Sequence, residues 1–317
     1  MTDSVAAEVP LYDDLPVIDS IGMPHAWDYF GRGDQLGTLN YLTAEVVAAA
    51  MARATQGVVI PLNLPLDEPS PPLFGRDPVT HEFFMHDRNT WDDRLDAYFP
   101  QGSSQWDGFR HVRAREHGFF GGAQGDPSAD MSWLGVDSWA RRGIVGRGVL
   151  LDVGHYLACS GTPLECDIET EITADLLRTV AAVQGVDIGH GDLLLVRTGW
   201  PAQYRALPAR RRAKLLGAPA FPGLHAGEET ARLLWNWHVS AVITDVPAVE
   251  SVPGDPAVGS LHRRLLPLLG LPLGELFDLE RLSVYCRSTD IYFFVVASAP
   301  MNLPGGCGSP SNALAIF

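Results

Sequence analysis

The chain is poor in cysteine, with four in 317 residues and no C-x-x-C pair. So few cysteines argue against a disulfide scaffold and against a cysteine-ligated zinc ribbon, and we expect a reducing, cytoplasmic setting. Long apolar runs are also missing, since the longest, near Phe293 to Met301, is too short to cross a bilayer. The first residues carry acids and prolines where a signal peptide has basic and apolar regions. We therefore expect no membrane segment, signal peptide or membrane partner.

Basic residues are scarce relative to acidic ones, 23 against 38, which gives a formal net charge of −15. Such a charge opposes binding to the phosphate backbone of nucleic acids. Apolar residues are plentiful at 46 %, enough to bury a sizeable core. The composition indicates a folded protein and disfavours a nucleic-acid partner.

Several common catalytic motifs are absent. The glycines of GIVGRG, at 143–148, lack the G-x-G-x-x-G spacing, and they precede a predicted strand where a dinucleotide-binding loop would follow one. The chain has no G-x-S-x-G elbow, no G-x-x-x-x-G-K-[ST] loop and no H-E-x-x-H helix. Serine hydrolases of the elbow type, phosphate-loop enzymes and zincins therefore lose their support.

Helical and strand patterns alternate along the chain, which predicts a mixed α and β protein with helices packed on a sheet. The residues from 67 to 125 are rich in proline, glycine, tryptophan, histidine and aspartate and show little periodicity, so we expect an irregular, functional region. The tail at 302–317 is typical of turn-rich coil with an apolar end. Helices are predicted over 44–54, 174–184 and 227–238, and strands over 58–66, 149–153, 192–198, 241–248 and 291–299.

The densest polar cluster, QGSSQWDGFRH, lies in this irregular region and places Gln101, Gln105, Asp107 and His111 at intervals of four, two and four. Aspartate and histidine serve as metal ligands or acid-base groups, whereas glutamine offers only a carbonyl oxygen. The alternative is a polar turn in which Asp107 caps backbone amides and Trp106 packs in the core. Spacing alone leaves both interpretations open.

A second candidate pair is His262 and Glu275, which lie 13 residues apart with Pro272 and Gly274 between them. One helix face cannot hold both, so only the tertiary fold could bring them to one site. The alternative is a surface histidine and an acid at a helix start.

Aromatic residues near these candidates suggest an apolar wall for a planar substrate. The alternative is that each belongs to the core. Arg197, at the end of an apolar strand, could meet a substrate carboxylate or form a structural ion pair. The aromatic candidates for substrate binding are Trp27, Trp106, Phe109 and Phe119.

Four segments together resemble one family: SSQWDGFRH, DLLLVRTGW, AVITDVPAVE and LHRRLL…GLPLGELFDLERL. They are similar to the cyclase family of metal-dependent hydrolases, which includes bacterial kynurenine formamidase and isatin hydrolase. The resemblance runs from about Phe30 onward. It implies the swivelling β/β/α fold of that family, with an N-terminal arm at 1–30 and a single catalytic domain at 31–317. It also implies a homodimer or homotetramer in which the loops at 67–100 are partly intersubunit.

The resemblance also assigns roles to the candidate residues. In better-studied relatives the signature H-x-G-T-H-x-D-x-x-x-H supplies two metal histidines, a metal aspartate and an acid-base histidine. Asp107 and His111 match the last two, while Gln101 and Gln105 stand where the metal histidines would be. A downstream histidine and glutamate, here His262 and Glu275, complete the site.

Amide oxygens in place of imidazole nitrogens favour harder ions and weaker binding. We therefore expect a divalent metal held by Gln101, Gln105, Asp107, His262 and Glu275. Manganese or zinc comes first, with magnesium or calcium as alternatives and with weak or absent binding left open.

The predicted function is hydrolysis of a small cyclic or aryl amide, imide or lactone by a metal-activated water, with His111 in acid-base catalysis and Asp107 in the catalytic centre. One alternative is a cyclase, dehydratase or isomerase of secondary metabolism that uses His111 with weak or no metal, which the two glutamines favour. A third hypothesis is a binding protein with a decayed site, against which the joint presence of Asp107, His111, His262 and Glu275 argues.

Overall fold

The structure is a computed structural model that describes residues 9–128 and 133–317. Its strands, in chain order, are β1 Val17–Ile18, β2 Met23–Pro24, β3 Val59–Pro61, β4 Thr80–Asp87, β5 Thr90–Asp96, β6 Gln105–Asp107, β7 Ile144–Asp152, β8 Glu171–Ile172, β9 Leu193–Arg197, β10 Gly223–Leu224, β11 Ala241–Thr244, β12 Leu273–Glu275, β13 Phe293–Ser298, β14 Gly308–Pro310 and β15 Ala313–Ile316. Its α-helices are α1 Trp27–Phe30, α2 Ala44–Met51, α3 Asp137–Arg142, α4 Val153–Cys159, α5 Ala174–Gln184, α6 Trp200–Ala206, α7 Ala209–Gly217, α8 Glu228–Asn236, α9 Leu261–Arg263 and α10 Glu280–Thr289. A π-helical segment, Arg264–Leu269, continues α9, and 3-10 turns lie at Tyr12–Asp14, Gly37–Tyr41, Pro100–Gly102, Arg115–His117 and Phe120–Gly122.

Nine of these strands form one mixed sheet in the order β14-β6-β12-β11-β9-β7-β13-β15-β3. At its centre β7, β9 and β11 run parallel. The stretch Leu193–Val196 of β9 is completely buried, as are Ala241–Ile243 of β11. Continuous apolar runs are typical of parallel strands covered on both faces, and α2 and α5 pack on β7. The mixed α and β class predicted from the sequence is confirmed.

The sheet is curled, because β14 and β15 are joined by only two residues, Ser311 and Asn312. In the strand order these two strands stand seven positions apart, roughly 34 Å in a flat sheet at about 4.8 Å per strand. Three Cα steps span at most about 11 Å. The two ends of the sheet must therefore approach each other, and a hydrogen bond of 2.9 Å from Trp106 in β6 to Ser298 in β13 joins them across the inside.

Two predicted helices begin where expected. Thr43 and Thr173 accept hydrogen bonds from the amides of Val46 and Leu176, at 3.3 and 3.2 Å, and so cap α2 and α5. Two predictions of irregular structure are wrong. The region at 67–125 contains the hairpin of β4 and β5, and the predicted coil at 302–317 contains β14 and β15, whose short segments gain stability only by pairing with distant strands.

The described part of the predicted N-terminal arm lies against its own chain. The indole of Trp235 in α8 donates a 2.8 Å hydrogen bond to the carbonyl of Pro10, and Asn236 accepts one of the same length from the amide of Tyr12. The division into an arm at 1–30 and a domain at 31–317 stays a prediction. In the described ranges no helix is both long and apolar enough to cross a membrane.

Candidate active site and metal centre

Two short strands carry three polar side chains of the site. In the antiparallel pair of β6 and β12, Gln105 stands opposite Glu275 and Asp107 opposite Leu273. Because side chains alternate along a strand, and directly opposed residues share a face, Gln105, Asp107 and Glu275 lie on one face while Trp106 lies on the other. All three polar residues are at most 3 % exposed. The sheet register therefore gathers two carboxylates and an amide in the interior.

His262 approaches these carboxylates from α9. Its Nδ1 is hydrogen-bonded to the carboxylate of Glu250. Its Nε2 lies 3.0 Å from Oε1 of Glu275 and 3.5 Å from Oδ2 of Asp107. Glu250 thus orients the ring, and Nε2 faces the carboxylates of Glu275 and Asp107.

The donor set fits a divalent cation. Ligand atoms of Asp107, His262 and Glu275 all lie within 4.8 Å of one another. Oδ2 of Asp107 and Oε1 of Gln105 are buried without a hydrogen-bond partner in the described chain. Metal-binding histidines commonly have their second nitrogen held by a carboxylate, as Glu250 holds His262 here. A cation at this point would satisfy the unpaired oxygens and balance the negative charge.

Gln105 supports the two carboxylates. Its Nε2 donates hydrogen bonds to Oε2 of Glu275 at 2.6 Å and, more weakly, to Oδ1 of Asp107 at 3.4 Å. Its amide group therefore borders the cluster at the position that the sequence predicted for a metal ligand.

Gln101 lies in the 3-10 turn Pro100–Gly102, which precedes β6 in the chain. A Cβ added to Gly308 would come within 2.4 Å of its Nε2, so the glycine leaves room for this amide beside β6. Gly308 itself pairs with Asp107. The structure thus places Gln101 near the strand that bears Asp107, and its role as a ligand stays a proposal.

His111 stands at the outer side of the cluster. Its Nε2 lies 3.8 Å from Oδ1 of Asp107, and its side chain is 29 % exposed. Its ring centre is 6.4 Å from that of His262. A partly exposed imidazole beside a buried carboxylate can exchange protons with both solvent and substrate.

The charges of the cluster shift one another's ionisation. Burial acts to raise the pKa of Asp107, but His111 and His262 hold it below its ordinary value. Burial and the charge of Asp107 raise the pKa of Glu275 to about 7. Burial acts to lower the pKa of His262, yet Glu250, Asp107 and Glu275 raise it well above its ordinary value. The site thus favours positive charge among its carboxylates, whether a proton or a metal ion.

A family model described as Putative cyclase matches residues 41–251, two thirds of the chain. The chain belongs to the cyclase family. A search of curated proteins gave no match to this cyclase-family chain.

Solved structures share its fold. A crystal structure described as a novel cyclase is 28 % identical, with a TM-score of 0.80, and the match covers 92 % of this chain and 99 % of that one. An isatin hydrolase bound to the product analogue thioisatinate is 16 % identical, with a TM-score of 0.60 and coverage of 87 % and 99 %. A predicted metal-dependent hydrolase from Bacillus stearothermophilus is 17 % identical, with a TM-score of 0.50 and coverage of 82 % and 98 %. The predicted cyclase-type fold is confirmed.

The aromatic residues proposed as a substrate wall in this cyclase-family chain are packed among core side chains, and their role in substrate binding stays a prediction. Trp106 is fully buried on the face of β6 away from Asp107, with its ring edge-on to Phe277 at 5.3 Å. Phe109 packs on Trp139 at 5.1 Å and on Phe120 at 4.8 Å.

Trp27 and Phe119 are likewise buried, at 6 % and 3 % exposure. The indole of Trp27 donates to the carbonyl of Pro267 at 2.6 Å, and the guanidinium of Arg113 lies over the ring of Phe119 at 5.3 Å. The core alternative, which the sequence left open, describes all four proposed wall residues.

Arg197 is engaged in ion pairs within the chain, and its role in substrate binding stays a prediction. Its guanidinium forms ion pairs of 2.8 Å with both Asp152 and Glu280, and its side chain is 14 % exposed. The structural ion pair, the other interpretation of this residue, is what the structure shows.

Two residues of the site escaped the sequence analysis. Glu250 lies six residues beyond the end of β11, and its place at the end of the segment AVITDVPAVE was its only signal. Arg76 lies in the loop before β4, and its positive charge acts on Glu275 and Asp107. Nothing in the sequence distinguishes Arg76 from the other arginines, because its position depends on how a long irregular loop folds back.

Proposed function

We propose that the chain is a metal-dependent hydrolase that cleaves a small cyclic or aryl amide, imide or lactone. The supporting observation is the cluster of Asp107, His262 and Glu275, with ligand atoms within 4.8 Å and with His262 oriented by Glu250. The descriptions of two structural neighbours, an isatin hydrolase and a predicted metal-dependent hydrolase, support the same class of reaction.

A divalent ion bound by these residues would lower the pKa of a water molecule and polarise the substrate carbonyl. The surrounding donors are one imidazole nitrogen, two carboxylates and the amide of Gln105. We propose manganese or zinc, with magnesium and calcium as alternatives because oxygen donors predominate. Gln101, from its place beside Gly308, is proposed to complete the site.

The chain's own groups handle the protons. His111, partly exposed and 3.8 Å from Asp107, accepts a proton from the attacking water and returns it to the leaving nitrogen or oxygen. His111 and His262 hold the pKa of Asp107 below its ordinary value, which favours its negative form. Gln105 holds the carboxylates of Glu275 and Asp107 in place through its amide hydrogens.

The second candidate is a cyclase, dehydratase or isomerase with little metal dependence. It is favoured by Gln105, whose amide nitrogen already donates to both carboxylates, and by His262, which as a cation would neutralise part of their charge. Glu275, with a pKa of about 7, could then exchange a proton with substrate near neutral pH.

Oxygen-18 water separates the two candidates. A hydrolase must place one solvent oxygen in the product, whereas an isomerase places none. The substrates for this test are isatin, an aryl formamide and a γ-lactone. Elemental analysis and chelation accompany this measurement. We expect Asp107→Asn to abolish turnover and to weaken metal binding, while Asp126→Asn, whose side chain is 92 % exposed, changes neither. Full activity of the chelated enzyme or of Asp107→Asn would exclude the metal-dependent hydrolase.

We also propose that the enzyme is a cytoplasmic homodimer or homotetramer, as the resemblance predicts. Every residue of β4 and β5 is exposed, and a two-stranded hairpin alone is only marginally stable. Its outward aromatic residues suit an interface, with Phe83 65 % and Trp91 63 % exposed. The hairpin has five acids and two arginines and α7 has four basic residues, so the hairpin is complementary in charge to α7 of a second copy.

A further inference from the structure

Arg76 is a half-buried cation without an ion-pair partner among the residues that the structure describes. Arg147 and Arg197 form ion pairs, with Asp192 at 2.6 Å and with two carboxylates at 2.8 Å. Within the described part of the chain, Arg264 has no ion pair but donates hydrogen bonds of 3.2 and 3.1 Å to the backbone carbonyls of Ala226 and Val258. Withdrawing a guanidinium from water without a partner is costly. Such a group suggests a ligand that supplies the missing anion.

The loop that carries Arg76 packs against the wall of the active site. The guanidinium lies over the ring of Phe74 at 5.4 Å, and that ring packs edge-on against Phe221 at 6.1 Å. Phe221 exchanges backbone hydrogen bonds of 3.1 and 3.2 Å with Val252, two residues from Glu250. Leu73 shares a buried apolar cluster with Phe221 and with Leu276, the neighbour of Glu275.

The guanidinium is near the reactive cluster without touching it. Its charge acts on both Glu275 and Asp107, yet no ion pair within 4.0 Å joins it to either in the described chain. A gap therefore separates the cation from the carboxylates. A small molecule whose reacting carbonyl faces Asp107 could place a second polar group against Arg76.

We propose that Arg76 binds an anionic group of the substrate, so that the preferred substrates are amides or lactones that carry a carboxylate apart from the scissile bond. This inference rests on the proposed hydrolase function. Asp107, Glu250 and Glu275 would otherwise repel such a substrate, and Arg76 supplies the compensating charge. A guanidinium can bind a carboxylate through two parallel hydrogen bonds, which also orients the molecule.

The first test uses a matched pair of substrates, N-formylanthranilate and formanilide, which differ by one ring carboxylate. In Arg76→Gln we expect KM for the anionic substrate to rise by about 10-fold to 100-fold, the scale of a lost charged hydrogen bond, with kcat and the neutral substrate little changed. Arg76→Lys should recover part of the loss. Arg281→Gln, at an exposed arginine, is the control with the same change of charge. Equal effects on the two substrates, or no effect, would overturn the proposal.

The second test measures binding and does not need turnover. Calorimetry compares benzoate with its neutral counterpart benzamide. We expect benzoate to bind wild type and Arg281→Gln, and to bind Arg76→Gln at least tenfold more weakly. If neither formamide, nor isatin, nor the γ-lactone is hydrolysed but this pattern holds, the hydrolase proposal fails and the anion site stands. Benzoate that does not bind wild type, or binds Arg76→Gln equally well, overturns the anion site.

Discussion

Glu250 holds Nδ1 of His262, and the same ring therefore presents Nε2 to Glu275, 3.0 Å away. Glu250 is itself restrained, because the hydroxyl of Ser260 donates to its Oε1 at 2.9 Å. A side chain that orients the ring without meeting the other two carboxylates is a positioning residue. Its effect on metal binding can be measured separately from its effect on folding.

Replacing Glu250 by glutamine should weaken metal binding. The loss of the anion that orients a ligand histidine typically costs about 10-fold to 100-fold in affinity. Calorimetric titration with manganese measures the affinity, and Glu116→Gln, at an exposed acid, is the control. Unchanged affinity in folded Glu250→Gln would show that His262 is not a ligand.

Replacing Gln105 by histidine should shift the site toward zinc. Gln105 Nε2 already lies 2.6 Å from Glu275, so an imidazole there adds a borderline nitrogen donor beside the carboxylates. We expect zinc to bind about tenfold more tightly, the scale on which groups around a metal act. Competition with a zinc-chelating dye measures the zinc affinity of both proteins. Weaker zinc binding in the histidine variant would argue that Gln105 does not face the ion.

Serine substitutions in the hairpin should dissociate the oligomer. Phe83→Ser together with Trp91→Ser removes the two most exposed aromatic side chains of β4 and β5. Light scattering after gel filtration is expected to show a monomer. Val183→Ser, at a 67 % exposed position of α5, is the control and should leave the mass unchanged. A double variant of unaltered mass would locate the interface elsewhere.

Replacing Arg197 by methionine should affect stability and not substrate binding. The change leaves Asp152, 2 % exposed, with only the more distant Arg287, at 3.8 Å, as a charged partner, at a cost of about 3 kcal/mol in the free energy of unfolding. Urea unfolding measures the loss, while KM of the folded enzyme stays constant. Arg178→Met removes an exposed pair in α5 and should cost less than about 1 kcal/mol. A raised KM with unchanged stability would indicate that Arg197 binds the substrate.

Because of the buried carboxyl of Asp245, the free energy of unfolding should decrease as pH rises. Burial raises its pKa from 3.8 to about 6, although Thr198 and Gly199 donate hydrogen bonds to it. Because the folded state holds this proton more tightly, the contribution is present below pH 3.8 and is lost as pH rises through about 6. Wild type should lose about 3 kcal/mol relative to Asp245→Asn over this range, at 1.36 kcal/mol for each pKa unit. Urea unfolding at several pH values tests this, and a constant difference would contradict it.

The sequence predicted the elements whose signals are local. Thr173 before an amphipathic segment and Gly185 after it determine α5 within a short stretch of chain, and the structure has the same ends. The strands β14 and β15 could not be predicted in this way. Their residues, three and four in number, are stabilised by pairing with β6 and β13, which no local pattern reveals.

For the site, the resemblance pointed to Asp107, His262 and Glu275, which the fold brings together. Spacing alone could not, because 13 residues with Pro272 and Gly274 between His262 and Glu275 exclude a shared helix face. The sequence could not place the aromatic side chains, because a tryptophan beside a candidate ligand can point to either face of its strand. Which face Trp106 occupies is decided by the pairing of β6 with β12.

The two-residue connection between β14 and β15 also bears on how the site comes into being. Asp107 pairs with Gly308, 201 positions later, and Gln105 with Glu275, 170 positions later. Contacts between such distant residues form slowly, since a long loop must be ordered before they contribute. The face of β6 that carries the proposed metal ligands therefore exists only once the curled sheet has closed. During refolding, metal affinity should return with the slowest phase, after the helices have already formed.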